Sequence, residues 1–171
     1  CKACPAGKFT FSIKPPSSIH HDSILKCTTH SKCPFDAIGK LYILNTSCYI
    51  HKTFVVRGWV TIVGYGNNIT ITSAGSGRIF DVAVGARLDI ENVGLDAKRD
   101  DTCTDSSLEY YCNSGGLILR SNATFTAKNS SFANSWQWKG GSVVYGESST
   151  TVVLESSIFH DNFAFVKGGV L

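Results

Sequence analysis

The sequence predicts an all-β chain, a parallel β-solenoid behind a disulfide-tied irregular N-terminal cap, and three observations point to it. The first is a pattern that returns three times, a glycine followed by two short apolar strands parted by a turn: GRIFDVAVGARLDIENVGL from Gly77, GGLILRSNATFTAKNSSF from Gly115 and GGSVVYGESSTTVVLESSIF from Gly140. The second is register. Aligned on the closing residues Leu95, Phe132 and Phe159, the position seven back holds Leu88, Phe125 and Val152, and the position five back holds Ile90, Ala127 and Leu154. Residues two apart share one face of a strand, so each unit sends that pair one way and Asp89, Thr126 and Val153 the other. The third is spacing: Phe132 and Phe159 stand 27 residues apart, the length of one coil built from three short strands.

Leu95 to Phe132 spans 37 residues, and the excess falls on AKRDDTCTDSSLEYYC, a polar stretch bounded by Cys103 and Cys112 that reads as a loop pushed out of the coil. Stacked repeats accept such insertions at turns because the strands on either side keep their contacts. An antiparallel sandwich of short strands explains the alternation equally well. It does not explain why Gly115, Gly140 and Gly168 recur at intervals of 25 and 28 with matched apolar positions.

Taken in order, residues 1–35 form the cysteine-rich cap or linker and residues 36–171 the coils. Residues 10–35 hold Pro15-Pro16, three histidines and few apolar runs. A cap there has a physical task, since the first coil exposes strand edges and an open core end. From Asp36 the chain turns into a strand over Lys40 to Leu44, with Leu41 and Ile43 on one face; Thr53 to Val56 and Val60 to Val63 follow, broken by Gly58. Gly64-Tyr65-Gly66-Asn67-Asn68 reads as a turn, after which Ile69 and Ile71 alternate with Thr70 and Thr72. No helix pattern follows Gly64 and Gly66 to present an N-terminus to phosphate, so they are not a nucleotide loop. The final Gly168-Gly169-Val170-Leu171 reads as the opening of another coil, and further coils or a second chain are expected to cover that end.

The run Gly140-Gly141-Ser142-Val143-Val144, then Ser156-Ser157-Ile158-Phe159-His160-Asp161-Asn162, then Gly168-Gly169-Val170-Leu171 resembles the repeats of polymorphic outer-membrane autotransporters and related extracellular β-helix repeats of algae and protists. VTIVGYGNNITI is similar to a stretch common among pectin-lyase-like proteins. Over roughly residues 36–171 the chain thus resembles the right-handed parallel β-helix, or pectin-lyase-like, superfamily. That resemblance implies a right-handed solenoid; the superfamily holds lyases, hydrolases, tailspikes and adhesins, so it implies no single activity. The opening Cys1-Lys2-Ala3-Cys4-Pro5-Ala6-Gly7-Lys8-Phe9 resembles small cysteine-rich extracellular modules found beside such repeats.

Composition agrees. With 171 residues, 43% of them hydrophobic, the chain can bury a core, and the 17% charged content suits short strands joined by Ser, Thr, Asn and Gly turns. A net charge of +3 without a basic run or stripe argues against nucleic acid, and no apolar stretch approaches the length needed to enter and span a bilayer. No secretory leader precedes Cys1, so a processed form or a portion of a longer chain is expected.

Seven cysteines crowd toward the front and the insertion. Cys1, Cys4, Cys27 and Cys33 compete as a zinc set, but their spacing lacks a second CxxC. Disulfides are preferred because four Asn-x-Ser/Thr sites, at Asn45, Asn68, Asn122 and Asn129, suit a secreted glycoprotein. Cys103 with Cys112 would staple the insertion, Cys27 with Cys33 is the next local pair, and Cys1 or Cys4 is left to pair elsewhere.

For chemistry, Asp89 and Glu91 share an outward face, matched one coil on by Thr126 and Lys128 and then by Val153 and Glu155. That column lacks the dense acid array of polysaccharide lyases and hydrolases, and reads as a solvated face. His160-Asp161 could form a proton-transfer pair, but its matched residues are Ala133-Asn134 and Asp96-Ala97, and in a strand the two side chains point apart; His20-His21-Asp22 lacks a third metal ligand. Trp136 and Trp138 lie in the turn before Gly140, with Phe163 and Phe165 in the next turn, forming an aromatic column that is either a core stack or a binding platform. Asn92 and Asn129, each three before a closing residue, read as an internal asparagine ladder, in competition with glycosylation of Asn129.

The expected function is a structural or adhesive module of a large extracellular or cell-surface glycoprotein, part of a filament, coat or appendage, with no cofactor and no catalytic activity. Its expected partners are neighbouring subunits or further coils, and possible glycans. The alternatives are a carbohydrate-binding module using Trp136 and Trp138 and a polysaccharide-active enzyme using Asp89 and Glu91.

Overall fold

The computed structural model describes residues 32–35, 41–74, 78–97, 116–137 and 142–164. Among the described residues every regular element is a strand, two to six residues long. The first sheet orders β1 (Leu41–Leu44), β4 (Trp59–Gly64), β7 (Arg87–Glu91), β10 (Thr124–Lys128) and β14 (Thr151–Glu155). The second orders β2 (Cys48–Ile50), β5 (Thr70–Ser73), β8 (Gly94–Asp96), β11 (Ser131–Ala133) and β15 (Ile158–His160). The third orders β3 (Phe54–Val56), β6 (Phe80–Val82), β9 (Leu117–Leu119) and β13 (Val144–Gly146), and β12 (Trp136–Gln137) pairs with β16 (Phe163–Ala164). Among the described residues every strand pairing is parallel. Parallel neighbours need a crossover between them. Here strands of the other sheets supply it, which makes the arrangement compatible with a parallel β-helix and excludes the antiparallel sandwich.

The register agrees residue for residue with the repeat alignment. Leu88 pairs with Phe125 and Phe125 with Val152; Ile90 pairs with Ala127 and Ala127 with Leu154; Leu95 pairs with Phe132 and Phe132 with Phe159. Leu88, Phe125, Ala127 and Phe132 are buried, whereas Thr126 and Asp89 are half-buried on the outer face and Val153 is exposed. One core cluster runs from Cys33 to Val144. Phe132 lies flat on Phe159 at 4.8 Å and edge-on to Phe125 at 6.1 Å. In the last repeat the inward-facing Val152, Leu154 and Phe159 are only half-buried.

In the first strand the shared face of Leu41 and Ile43 is the outer one, and Tyr42 and Leu44 enter the core. The backbone turns the chain through left-handed residues that stack in columns. Asn68, Asn92, Asn129 and Ser156, each three before a registered residue of the second sheet, have φ of 60°, 55°, 47° and 48°. Asn tolerates this region better than other non-glycine residues because its short amide bonds locally. Hydrogen bonding continues through these turns: the Asn92 N–H donates to the Lys128 carbonyl and the Asn129 N–H to that of Glu155, both at 3.0 Å. The expected asparagine ladder is therefore corrected. Asn92 and Asn129 are exposed, and their backbones rather than their side chains stack. Gly64 is required for a different reason, since a Cβ there would collide with the Asn92 carbonyl oxygen of the next strand row.

At the front, Lys32 bridges to Tyr49 in parallel and the Cys33 N–H donates to the Tyr49 carbonyl at 2.8 Å. Phe35 packs its ring against Tyr42 and Phe54, both at 5.1 Å, and Phe80 at 5.9 Å. Residues 32–35 thus lie over the first repeat.

Candidate functional site

The outer face of the first sheet carries the predicted acids. Asp89 sits between Thr61 and Thr126, and Glu91 between Val63 and Lys128. Alternation on β7 turns both outward, away from Leu88 and Ile90. The Arg87 Nε–H donates to both Asp89 oxygens at 2.9 Å, and the Trp59 indole N–H donates to Oδ2 at 2.7 Å. Arg87 also lies over the Trp59 ring, 5.0 Å from its centre. The Asp89 carboxylate is thus committed to an ion pair and an indole. Glu155 pairs with Lys128 at 3.5 Å, in a bridge exposed on both sides and worth about 0–1 kcal/mol.

The third sheet holds a tighter arrangement. Outward alternation places Val55, Asp81, Ile118 and Tyr145 in one row across the four strands. Arg120, the residue after β9, spans both neighbouring strands. Its Nε and Nη2 donate to the two Asp81 oxygens at 3.0 and 2.7 Å, and its Nη1 donates to Glu147 Oε1 at 2.9 Å. Planar, bidentate geometry is what a guanidinium offers and an ammonium does not. These bonds hold the Arg120 proton more firmly than usual, and the hydrogen bond from Arg120 holds the Glu147 carboxyl below its ordinary range. A lowered folded value adds stability above the unfolded value that is lost as pH falls through the folded one. Thermal denaturation is expected to show the wild-type chain losing more stability than Glu147→Gln between about pH 5 and pH 3. Parallel curves would remove the clamp from the stability account.

Half-buried Trp136 pairs with Phe163, their rings edge-on at 6.2 Å, and Phe163 is 54% exposed. The expected aromatic column therefore has two described members, one reaching solvent; Trp138 and Phe165 lie outside the described residues. The candidate glycosylation sites Asn68, Asn122 and Asn129 are exposed and Asn45 is half-buried. Asn45, Asn68 and Asn129 lie in the turns joining the first sheet to the second, and Asn122 in the turn joining the third to the first.

Cys33 is disulfide-bonded, but to Cys48 rather than Cys27, which corrects the expected local pair. Pairing of residues 32–33 with Tyr49 brings Cys33 beside the start of β2, with the two Cα atoms 5.1 Å apart. The same bond removes Cys33 from the competing zinc set. Cys27, Cys103, Cys112 and His20-His21-Asp22 lie outside the described residues. His160 and Asp161, expected to point apart, meet at 2.9 Å because Asp161 has φ of 54° and breaks strand alternation.

Sequence reading missed Trp59, Arg87 and the Arg120 clamp. The matched position of Trp59, Arg87 and Thr124 at each strand start was a usable signal; nothing local marks Arg120. It also missed Asn162, whose amide donates to the Phe132 carbonyl at 2.8 Å and accepts from the Ser135 N–H at 3.0 Å. No protein-family model matches the chain, and neither the curated proteins nor the solved structures contain a match to it.

Proposed function

We propose that the stacked sheets are the coils of a right-handed parallel β-helix solenoid, and that the chain serves as a structural or adhesive module of a large extracellular glycoprotein. In this reading it forms part of a surface filament, coat or appendage, and neighbouring subunits or further coils of the same protein are its partners. One observation carries the proposal. Val152, Leu154 and Phe159 are half-buried, although Phe125, Ala127 and Phe132, their partners one strand row back, are buried. An in-register parallel edge with an apolar inner face is a template for another strand row. The exposed turns at Asn68, Asn122 and Asn129 suit glycan attachment.

Sedimentation of the disulfide-intact chain tests this. Concentration-dependent association is expected, and Val152→Lys should abolish it while the chain still melts cooperatively, at a lower temperature because Val152 packs on the core. A wild-type chain that stays monomeric at high concentration would contradict the assembly reading.

A second reading, a carbohydrate-binding module, is favoured by the Trp136–Phe163 pair at the corner between the second and third sheets. An exposed ring beside an indole is a stacking platform for a sugar.

A further inference from the structure

The Arg120 clamp leaves a second guanidinium unanswered. Arg78, two residues before Phe80 in the third sheet, is half-buried, and its Nε is out of solvent reach with no hydrogen-bond acceptor. No ion pair among the described residues neutralises it. Asp81 is close enough to act on it electrostatically, but its two oxygens already accept from Arg120. Burial, and next the neighbouring Arg120 charge, weaken the hold of Arg78 on its proton. A desolvated cation beside another cation is costly unless an anion answers it.

Two further cations flank the same sheet. Lys52 lies two residues before Phe54, the register partner of Phe80, at one end of β3, and Arg57 follows β3 at the other. Both are exposed and neither forms an ion pair among the described residues. On the first sheet, by contrast, Arg87 and Lys128 are both paired. On the same sheet Val55, on the edge strand β3, is 42% exposed and Tyr145, on the opposite edge strand β13, is 39% exposed. Arginine and tyrosine are residues that protein interfaces concentrate. The turns joining the second sheet to the third, where Lys52 and Arg78 lie, contain none of the four glycosylation sites.

We propose that the outer face of the third sheet, centred on Arg78 with Lys52, Arg57 and Tyr145, binds an acidic segment of a partner protein through its carboxylates. The guanidinium of Arg78 presents its Nη groups to one carboxylate, while its Nε stays covered. The strand rows repeat at about 4.8 Å and the sheet runs β3, β6, β9, β13, so an extended acidic peptide crossing it meets a flanking cation beside β3, then Arg78 and last the Tyr145 hydroxyl, whereas a small anion engages one row. Binding at this face is independent of end-to-end assembly.

Fluorescence anisotropy with a labelled hexaglutamate peptide and the full 171-residue chain tests it. Saturable binding that weakens with added salt is expected, with Arg78→Gln weaker by about tenfold and Lys128→Gln, on the first sheet, unchanged. A melting curve of each variant establishes folding; if Arg78→Gln fails to fold, the combined Lys52→Gln and Arg57→Gln variant, with surface substitutions only, carries the test. No saturable binding, or equal losses from Lys128→Gln and the third-sheet variants, would overturn the proposal. Binding of a uronic-acid oligosaccharide without binding of the peptide would overturn the assignment of a protein partner.

Discussion

Replacing Phe132 with alanine is expected to destabilise the fold by about 3–5 kcal/mol, the range for truncating a fully buried Phe. The ring is 1% exposed, registers on Leu95 and Phe159, lies flat against Phe159 and meets Phe125 edge-on. Its loss removes contacts with two neighbouring strand rows at once. The cavity cannot collapse easily, because the backbones above and below are fixed by the parallel ladder. Thr126→Ala, only six residues away but on the outer face, is expected to cost under about 0.5 kcal/mol. Chemical denaturation of both variants checks the pair. Equal losses would mean that the strand faces are assigned wrongly.

Replacing Cys33 and Cys48 together with alanine is expected to cost about 3 kcal/mol, the loop-closure value for a bridge of this span. The bond joins residues 15 apart and is buried at both ends, at 5% and 7% exposure. It also ties down the segment that carries Phe35 onto Tyr42, Phe54 and Phe80. The loss should therefore exceed that of the paired thiols alone and be felt first in the front repeat. Hydrogen exchange resolved by residue is expected to show early opening at β1 to β3 in the double variant, with β10 and β11 still protected. Uniform loss of protection, or a stability change near zero, would deny the bond this anchoring part.

The middle of the fold was legible because the alternation is marked there. Leu88, Asp89 and Ile90 differ in polarity, as do Phe125, Thr126 and Ala127, so the face of each residue follows from its neighbours and the repeat fixes which residues stack. The first strand gives no such sign. Leu41, Tyr42, Ile43 and Leu44 are all apolar, and only packing beneath Phe35 decides that Tyr42 points in. The Cys33–Cys48 pairing was illegible for a related reason, since it depends on a short segment adding itself in parallel to β2. Arg120 draws its partners from 39 residues before and 27 after, so its clamp exists only once three strand rows are in register. The candidate acid Asp89 was located correctly on an outer face, yet its commitment to Trp59, 30 residues earlier, follows from the same stacking and not from local spacing.

Parallel, in-register stacking is the claim on which the rest depends, and cross-strand nuclear Overhauser contacts from β10 test it most directly. The fold predicts that Phe125 contacts the backbones of Leu88 and Val152, and Ala127 those of Ile90 and Leu154, in the same chain order on both sides. Contacts in reversed order, with close Hα–Hα pairs between facing strands, would mean antiparallel pairing and would contradict the stack.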